Sequence, residues 1–383
     1  MGRLRACAVT TVHVVVPEGI DDPTRPSGGN IYDRRMCREL AAGGWTVVEH
    51  PVPGAWPVPD ASCAAALAAV LGGLPRGATV LLDGLLAPCI RDPAALAGRL
   101  ALVLLVHMVP RIRNDAGMAG GACSGTSGAT RGLPNEVLAA AAAVIATSAW
   151  ARSRLVAAFD VQERRVHVVE PGVDGAPSTP GTAGGGRLLC VAAVTPTKGP
   201  DILLEALSGV AGLDWDCTCA GALDMEPAFA AGMLRKVRNG VLAGRVHFPG
   251  PRNGAALDAL YATADVLVLA SREESYGMAI AEALVRGIPV IAPRVGGVPG
   301  TLGRTPSGTV PGIVVAPEDP EALAAAVRAW LGDGGLRRRL RAAALERRTE
   351  LAARSWEAAA GRLAGVLSGA APARAAQERP GDG

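Results

Sequence analysis

The sequence predicts an α/β protein built as two doubly wound parallel-sheet domains that face a cleft. Three observations carry that expectation. At 383 residues the chain is long for one core, so two domains of about 150–200 residues each are expected. Short apolar runs alternate with helical patterns along most of the chain, as parallel strands covered by helices on both faces require. Midway, the segment PGVDGAPSTPGTAGGG at 171–186 is rich in Pro, Gly, Ser and Thr and reads as a linker.

The elements follow in order. The first strand, 6–16, is rich in Val and Thr, residues that suit a pleated buried surface. Its basic start has the look of a signal peptide, but His13 interrupts the apolar stretch and no small-residue cleavage site follows. Further strands read at 46–50, 79–82, 100–107, 143–147 and 166–169, with helices at 30–42, 61–71, 92–97, 135–142 and 148–158. After the linker the pattern restarts. Strands read at 187–194, 215–220, 246–249, 266–269, 289–292 and 312–315, and helices at 200–207, 226–243, 254–262, 278–286 and 320–332. Two more helical stretches, 335–352 and 354–367, end the periodic part.

The expected domains are therefore 1–170 and 187–352, with 171–186 between them. A helix at 353–370 is expected to pack back toward the first domain, and 371–383 to be a disordered tail. The glycine-rich stretch 111–132 carries no readable chemistry and is a candidate lid.

Composition excludes several classes. Hydrophobic residues make up 49%, much of it alanine, yet no apolar run reaches the roughly 18–20 residues that span a bilayer, so at most peripheral membrane contact is expected. A net charge of +3 without basic blocks interleaved with aromatics gives no sign of nucleic-acid binding. The eight cysteines form no CxxC pair, so reduced thiols in a cytoplasmic protein are expected. No His, Cys, Asp or Glu cluster has metal-ligand spacing, so neither metal nor cofactor is expected. The triplet Asp214-Trp215-Asp216 has the DxD form of some metal-dependent sugar transferases but begins a strand, at the wrong end of a sheet for a site. The GxSxG elbow of hydrolases is absent.

Four places carry possible chemistry. In SREESYGMAIAEALVRGIPVIAP, 271–293, Glu274 and Glu282 lie eight positions apart around Gly277, where a helix begins. A helix N-terminus offers unpaired amides and a favourable dipole to an anion, and two carboxylates accept hydrogen bonds from hydroxyls. On spacing alone the same residues also fit the polar start and solvated face of an ordinary helix. In VAAVTPTKGPDILLEAL, 191–207, Lys198 sits where a strand turns into a helix, placed to neutralise a phosphate or simply to be a solvated turn residue. Of 38 basic residues only Lys198 and Lys236 are lysines, which singles the position out. The third place is Ser27-Gly28-Gly29-Asn30 after the first strand, a helix entrance or a plain turn. The fourth is His107, at the carboxyl end of the strand LALVLLVH, either a site residue or a satisfied structural histidine.

Taken in order, these features resemble retaining glycosyltransferases of the GT-B fold, family 4, in which two Rossmann-like domains face a cleft. The resemblance runs from about Val12 to Leu367 and is carried by the E-x7-E pair Glu274–Glu282, TPTKG, SGGN, His107, ATSAWARSRL and PGVD. It implies transfer of a sugar from a nucleoside diphosphate sugar to an acceptor, with retention and without a metal. It implies further that Glu274 binds sugar hydroxyls and Glu282 the ribose. Lys198 and the backbone around Ser275, Tyr276, Gly277 and Met278 would hold the diphosphate, Gly28 and Gly29 would approach it, and His107 would lie by the reacting sugar. Catalysis would rest on His107, Glu274 and Lys198. One position departs from the pattern: Ala193 stands where the family often has a second diphosphate-binding cation, an arginine. That departure leaves open a catalytically silent subunit of the same fold that binds a partner or a nucleotide.

Overall fold

The structure is a computed structural model that describes residues 10–54, 56, 59–109, 133–159 and 161–371. The start of the first expected strand, the candidate lid at 111–132 and the expected tail beyond Ala371 lie outside the described residues.

The first half runs β1 (Thr11–Pro17), α1 (Gly28–Ala42), β2 (Thr46–Val52), α2 (Ala61–Gly73), β3 (Thr79–Asp83), α3 (Pro93–Ala97), β4 (Ala101–Val106), α4 (Asn135–Ala140), β5 (Ala143–Ala146), α5 (Ala149–Ala158) and β6 (Val166–Val168). The second half runs β7 (Arg187–Val191), α6 (Pro200–Ser208), β8 (Asp216–Ala220), α7 (Pro227–Arg238), β9 (Val246–Gly250), α8 (Ala255–Thr263), β10 (Val266–Val268), α9 (Met278–Val285), β11 (Val290–Pro293), α10 (Val298–Leu302) and β12 (Gly312–Val315). Three helices close the chain: α11 (Pro320–Gly332), α12 (Gly334–Ala352) and α13 (Trp356–Ala370).

The strands form two six-stranded sheets, ordered β2-β1-β3-β4-β5-β6 and β12-β11-β10-β7-β8-β9. Every pairing is parallel. Central strands such as β3 and β4 are buried along their whole length, which explains why they read as unbroken apolar runs rather than alternating ones. The helices start sharply because their caps are built in: Ser27, Asp60, Ser148, Asp319 and Ser355 each accept a first-turn N–H.

Strand order reverses direction between β1 and β3 in one sheet and between β7 and β10 in the other. Ligands of open parallel sheets bind outside the carboxyl ends at such points. Gly28 and Gly29 follow β1, His107 follows β4, Lys198 follows β7, and Glu274 to Met278 follow β10. All the expected site segments thus leave the sheets at carboxyl ends.

The differences from the expected elements are local. The helix expected at 226–243 stops at Arg238, where Asn239 and Gly240 turn the chain. The strand expected at 187–194 stops at Val191 because the chain must bend into TPTKG. The short helix α10 and the 3-10 turn Gly84–Cys89 are too brief to show a period. Among the described residues no helix is long and apolar enough to cross a membrane.

The stretch 171–186 holds no helix or strand but is fastened at several points. The Thr179 hydroxyl donates to the Tyr261 carbonyl at 3.2 Å, and that of Thr182 to Asp265 at 2.6 Å. Beside it the chain returns: Trp356, Leu363 and Leu367 of α13 share one apolar cluster with Val14, Tyr32, Met36 and Leu105 of the first half. The outgoing and returning segments touch where Val173 N–H donates to Arg354 C=O at 2.9 Å and Arg354 pairs with Glu170 at 2.6 Å. A side chain at Gly172 would place its Cβ 2.3 Å from the Trp356 nitrogen. Gly172→Ala is therefore expected to displace α13 and to cost about 1–3 kcal/mol. Thermal unfolding would show this as a Tm several degrees lower; an unchanged Tm would mean that this crossing is not tightly packed.

Candidate functional site

Two poles meet at the carboxyl ends. On the second sheet, the chain leaves β7 through a 3-10 turn, Pro196–Lys198, and enters α6 through Gly199 at φ 64°. A Cβ there would lie 2.1 Å from the Ala270 carbonyl, so only glycine lets this turn sit against the end of β10. Arg272 braces the turn from the other side. Its N–H donates to Thr197 C=O at 2.8 Å, and its guanidinium reaches Pro196 C=O at 2.6 Å and both Asp201 oxygens at 2.9 and 2.6 Å. With its backbone held, Lys198 extends Nζ to 2.6 Å from Glu274 Oε1, which also accepts from the Ser271 hydroxyl at 3.2 Å. Both side chains stay partly open, 24% for Lys198 and 14% for Glu274.

The backbone of Glu274 and Ser275 is gripped by the loop after β11. Gly297 N–H donates to Glu274 C=O at 2.8 Å. A Cβ on Gly296 would lie 1.8 Å from that carbonyl oxygen, and one on Gly297 would lie 2.1 Å from the Ser275 oxygen. Gly277, at φ 89°, then opens α9. The Tyr276 side chain turns away into the apolar core at 5% exposure, so only its main chain is available to a ligand. The Ser275 hydroxyl is likewise buried and has no hydrogen-bond partner among the described residues.

Glu282 lies just over a turn into α9 and accepts from the Tyr261 hydroxyl at 2.8 Å. Arg286 stacks over the Tyr261 ring at 4.6 Å and donates to the Glu282 carbonyl at 2.8 Å. Burial pushes the Glu282 carboxyl above its ordinary range, with the Tyr261 hydrogen bond and the Arg286 charge opposing. The two glutamates thus have separate partners: Lys198 holds one and Tyr261 the other.

The first sheet supplies the other pole. A Cβ on Gly28 would lie 3.3 Å from Met278 Sδ, and one on Gly29 would lie 3.2 Å from His107 Cδ2. The double glycine therefore lets the start of α1 slip between the start of α9 and the histidine ring. Met278 packs against the apolar clusters of both halves, and the Ser148 hydroxyl donates to Ser275 C=O at 2.5 Å across the junction. Farther out, Arg25 pairs with Asp224 at 2.9 Å and Asn253 donates to Pro23 C=O at 2.8 Å.

His107 Nε2 lies 2.8 Å from Asp33 Oδ1. Asp33 and Asp83 are 2% and 4% exposed, and the polar atoms of Asp33, Asp83 and His107 lie within 4.8 Å of one another. Burial alone would push His107 down, but the charge and hydrogen bond of Asp33, then Asp83, raise it to about 9. Burial, with the Asp33 charge beside it, raises Asp83 to about 7.

Lys198 and Glu274 are brought together directly, as are Gly28 with Met278 and Gly29 with His107. Asp33, Asp83, Ser148, Tyr261 and the Gly296–Gly297 pair were not foreseen. Two of them left a readable trace. Asp33 interrupts the apolar face formed by Met36, Cys37 and Leu40, and Asp83 ends the apolar strand TVLLD at its carboxyl end. Trp215 of the DxD triplet is buried, donates to Val210 C=O at 2.8 Å and carries Arg245 over its ring at 4.0 Å, at the far end of the sheet from Lys198.

Known proteins resemble this chain. The sequence profile of the glycosyl transferases group 1 family matches residues 183–347. The D-inositol 3-phosphate glycosyltransferase of Xylanimonas cellulosilytica is 32% identical over 297 residues, 72% of this chain and 68% of that one. That of Geodermatophilus obscurus is 32% identical over 260 residues, 62% of this chain and 57% of that one. The chain spans 57%, 61% and 59% of the length of the relatives from Geodermatophilus obscurus, Jonesia denitrificans and Catenulispora acidiphila. In fold it is similar to the sucrose-phosphate synthase of Thermosynechococcus elongatus, with TM-score 0.72 and 21% identity over 94% of this chain and 98% of that one. It is also similar to Anabaena HepE in complex with UDP-glucose, with TM-score 0.69 and 16% identity over 94% of this chain and all (100%) of that one. These likenesses establish the GT-B fold.

The raised Glu282 has a consequence for stability. A carboxyl whose folded value lies above its ordinary 4.5 binds a proton more readily folded than unfolded, so it lowers stability as pH rises through 4.5. Glu282→Gln, which keeps the shape without the charge, is expected to gain on the wild type in urea midpoint at pH 7 relative to pH 4. An equal difference at both pH values would place Glu282 in a well-solvated setting.

Proposed function

The chain belongs to the glycosyl transferases group 1 family, and from that premise we propose that it transfers a sugar from a nucleoside diphosphate sugar to an acceptor hydroxyl, with retention and without a metal. The observation that carries this reading is the Lys198–Glu274 pair, 2.6 Å apart, beside the glycine-opened N-terminus of α9. The pair offers a cation and a carboxylate side by side, as a sugar diphosphate requires. Phosphate oxygens take the Lys198 ammonium and the α9 amides, while sugar hydroxyls donate to Glu274. The HepE structure with UDP-glucose supports this class of donor. Glu282, held by Tyr261 farther along α9, is the assigned partner of the ribose.

Breaking the anomeric bond leaves positive charge on the sugar ring and negative charge on the diphosphate. Lys198 and the amides of Gly277 and Met278 stabilise the growing anion from fixed positions, so the leaving group needs no Lewis acid. The acceptor hydroxyl attacks from the face the diphosphate leaves and passes its proton to the departing phosphate oxygen, which retains configuration. The acceptor binds on the first-sheet side, near His107. Closure of the two halves over the donor excludes water. The proposed location is cytoplasmic, in keeping with the absence of disulfides among the described residues.

The second reading, a silent subunit, has Ala193 in its favour, since that position is left without a cation. Turnover decides between the two. Lys198→Ala and Glu274→Ala are each expected to lower kcat/KM for transfer by at least about tenfold: Lys198→Ala removes a donor of the kind whose loss typically costs 10²–10³-fold, and Glu274→Ala removes the acceptor for the sugar hydroxyls. Circular dichroism should show both variants folded. Transfer at the wild-type rate in either would refute the assignment, and nucleotide binding without any turnover in the wild type would favour the silent subunit. A chelator is expected to leave the rate intact.

A further inference from the structure

We infer that Asp33 is a positioning residue: it holds Nε2 of His107, backed by Asp83, so that the ring stays an imidazolium whose other nitrogen, Nδ1, is presented to the sugar diphosphate. This rests on the transfer reading for its purpose but not for its geometry.

The geometry is specific about the nitrogens. Nε2 is committed to Asp33 Oδ1 at 2.8 Å. The ring is fixed on two other sides, by the edge of Tyr32 at 5.3 Å between centroids and by Gly29, whose added Cβ would touch Cδ2 at 3.2 Å. Nδ1 makes no hydrogen bond among the described residues and is not one of the buried, unpartnered atoms. The side chain keeps 16% of its surface open. Among the described residues, what remains to face the cleft is the Nδ1 edge.

The charge follows from burial. Among the described residues, the titratable groups around the ring are Asp33 and Tyr32 of α1 and Asp83 at the end of β3. Two carboxylates this close and this buried cannot both stay bare beside a neutral ring without a large desolvation cost. Two protons resolve it, one on the imidazole and one on Asp83. Asp83 Oδ1 already accepts the Leu85 N–H at 2.8 Å, which leaves its other oxygen to carry that proton. Asp33 Oδ2, buried and without a hydrogen-bond partner, is the acceptor such a proton needs. The cluster is then neutral overall, with the positive charge at its open end. There, Nδ1–H donates a hydrogen bond toward the oxygen that gains negative charge as the anomeric bond breaks, opposite Lys198. No proton has to leave the ring.

The test uses the full chain. Its five histidines can be followed by carbon-13 NMR of labelled imidazole, with His107→Gln identifying the His107 signal. In the wild type this signal is expected to remain that of an imidazolium at pH 8, losing its proton only near pH 9. In Asp33→Asn it should titrate close to the ordinary 6.5. For transfer, Asp33→Asn is expected to lower kcat at least about tenfold with little change in donor KM, and to move the alkaline limb of the rate profile acidward, because an uncharged donor forfeits much of the electrostatic stabilisation. A purely structural Asp33 would lower stability and leave the limb in place, and that result overturns the proposal. So does a wild-type His107 that is neutral at pH 8, or a stoichiometric divalent metal in the purified protein that Asp83→Asn loses. Where Asp33→Asn fails to fold, Asp83→Asn decides: its amide still donates to Asp33, so His107 must stay charged at pH 8. A charged, oriented His107 in a protein with no transfer activity would sink the transfer reading and leave the geometry standing.

Discussion

Close approach of backbone to backbone at the carboxyl ends of the second sheet is the constraint on which the site depends. Gly199 lets the Lys198 turn lie against Ala270, and Gly296 and Gly297 let the loop after β11 lie on Glu274 and Ser275. A side chain at any of the three would overlap a main-chain oxygen at 1.8 to 2.1 Å, and main chain cannot swing aside as a side chain can. The Lys198–Glu274 distance is thus set by the sheet and not by the flexible lysine stem. Helix α9 inherits the same frame, because Gly277 starts it directly after the gripped residues.

The chain's preference for arginine fits this frame. Many arginines serve as braces whose planar forks bind carbonyls: Arg245 to Trp215, Arg337 to Trp330, Arg348 to Val285 and Arg272 to Pro196. Such a fork is well suited to fixed partners and poorly suited to release one. On the proposed reading the partner at 198 changes, from Glu274 to a phosphate of the donor. A compact ammonium with three rotatable donors can do that while its backbone stays still. Lysine at this position and arginine at 272 divide the work between an exchangeable charge and a permanent strut.

Much of this was legible in the sequence, and for a common reason. The alternation of elements, the linker at 171–186 and the two sheets follow from hydrophobic periodicity and turn residues, which are local properties. Lys198, Glu274, Gly277 and His107 were legible because each lies at an element boundary, where position in the chain implies position on the sheet. The Asp33–Asp83–His107 cluster was hidden because three residues from different elements converge only after the first sheet closes. Tyr276 shows the opposite failure. It stands inside the motif, yet its ring packs in the core and only its backbone lies beside the start of α9.

Among the described residues the two poles meet at Met278 and at the Ser148–Ser275 hydrogen bond. Met278 packs against both apolar clusters, and the same residue begins α9. Ser148 caps α5 in the first half and spends its hydroxyl proton on Ser275 in the second. Separating the halves would expose Met278, strand the Ser275 carbonyl and pull Gly28 from its seat, all at residues proposed to hold the donor. On that reading the closed geometry and a competent site are one arrangement. On the proposed reading Ala193, which supplies no cation, leaves the second charge to the His107 pole of the first sheet.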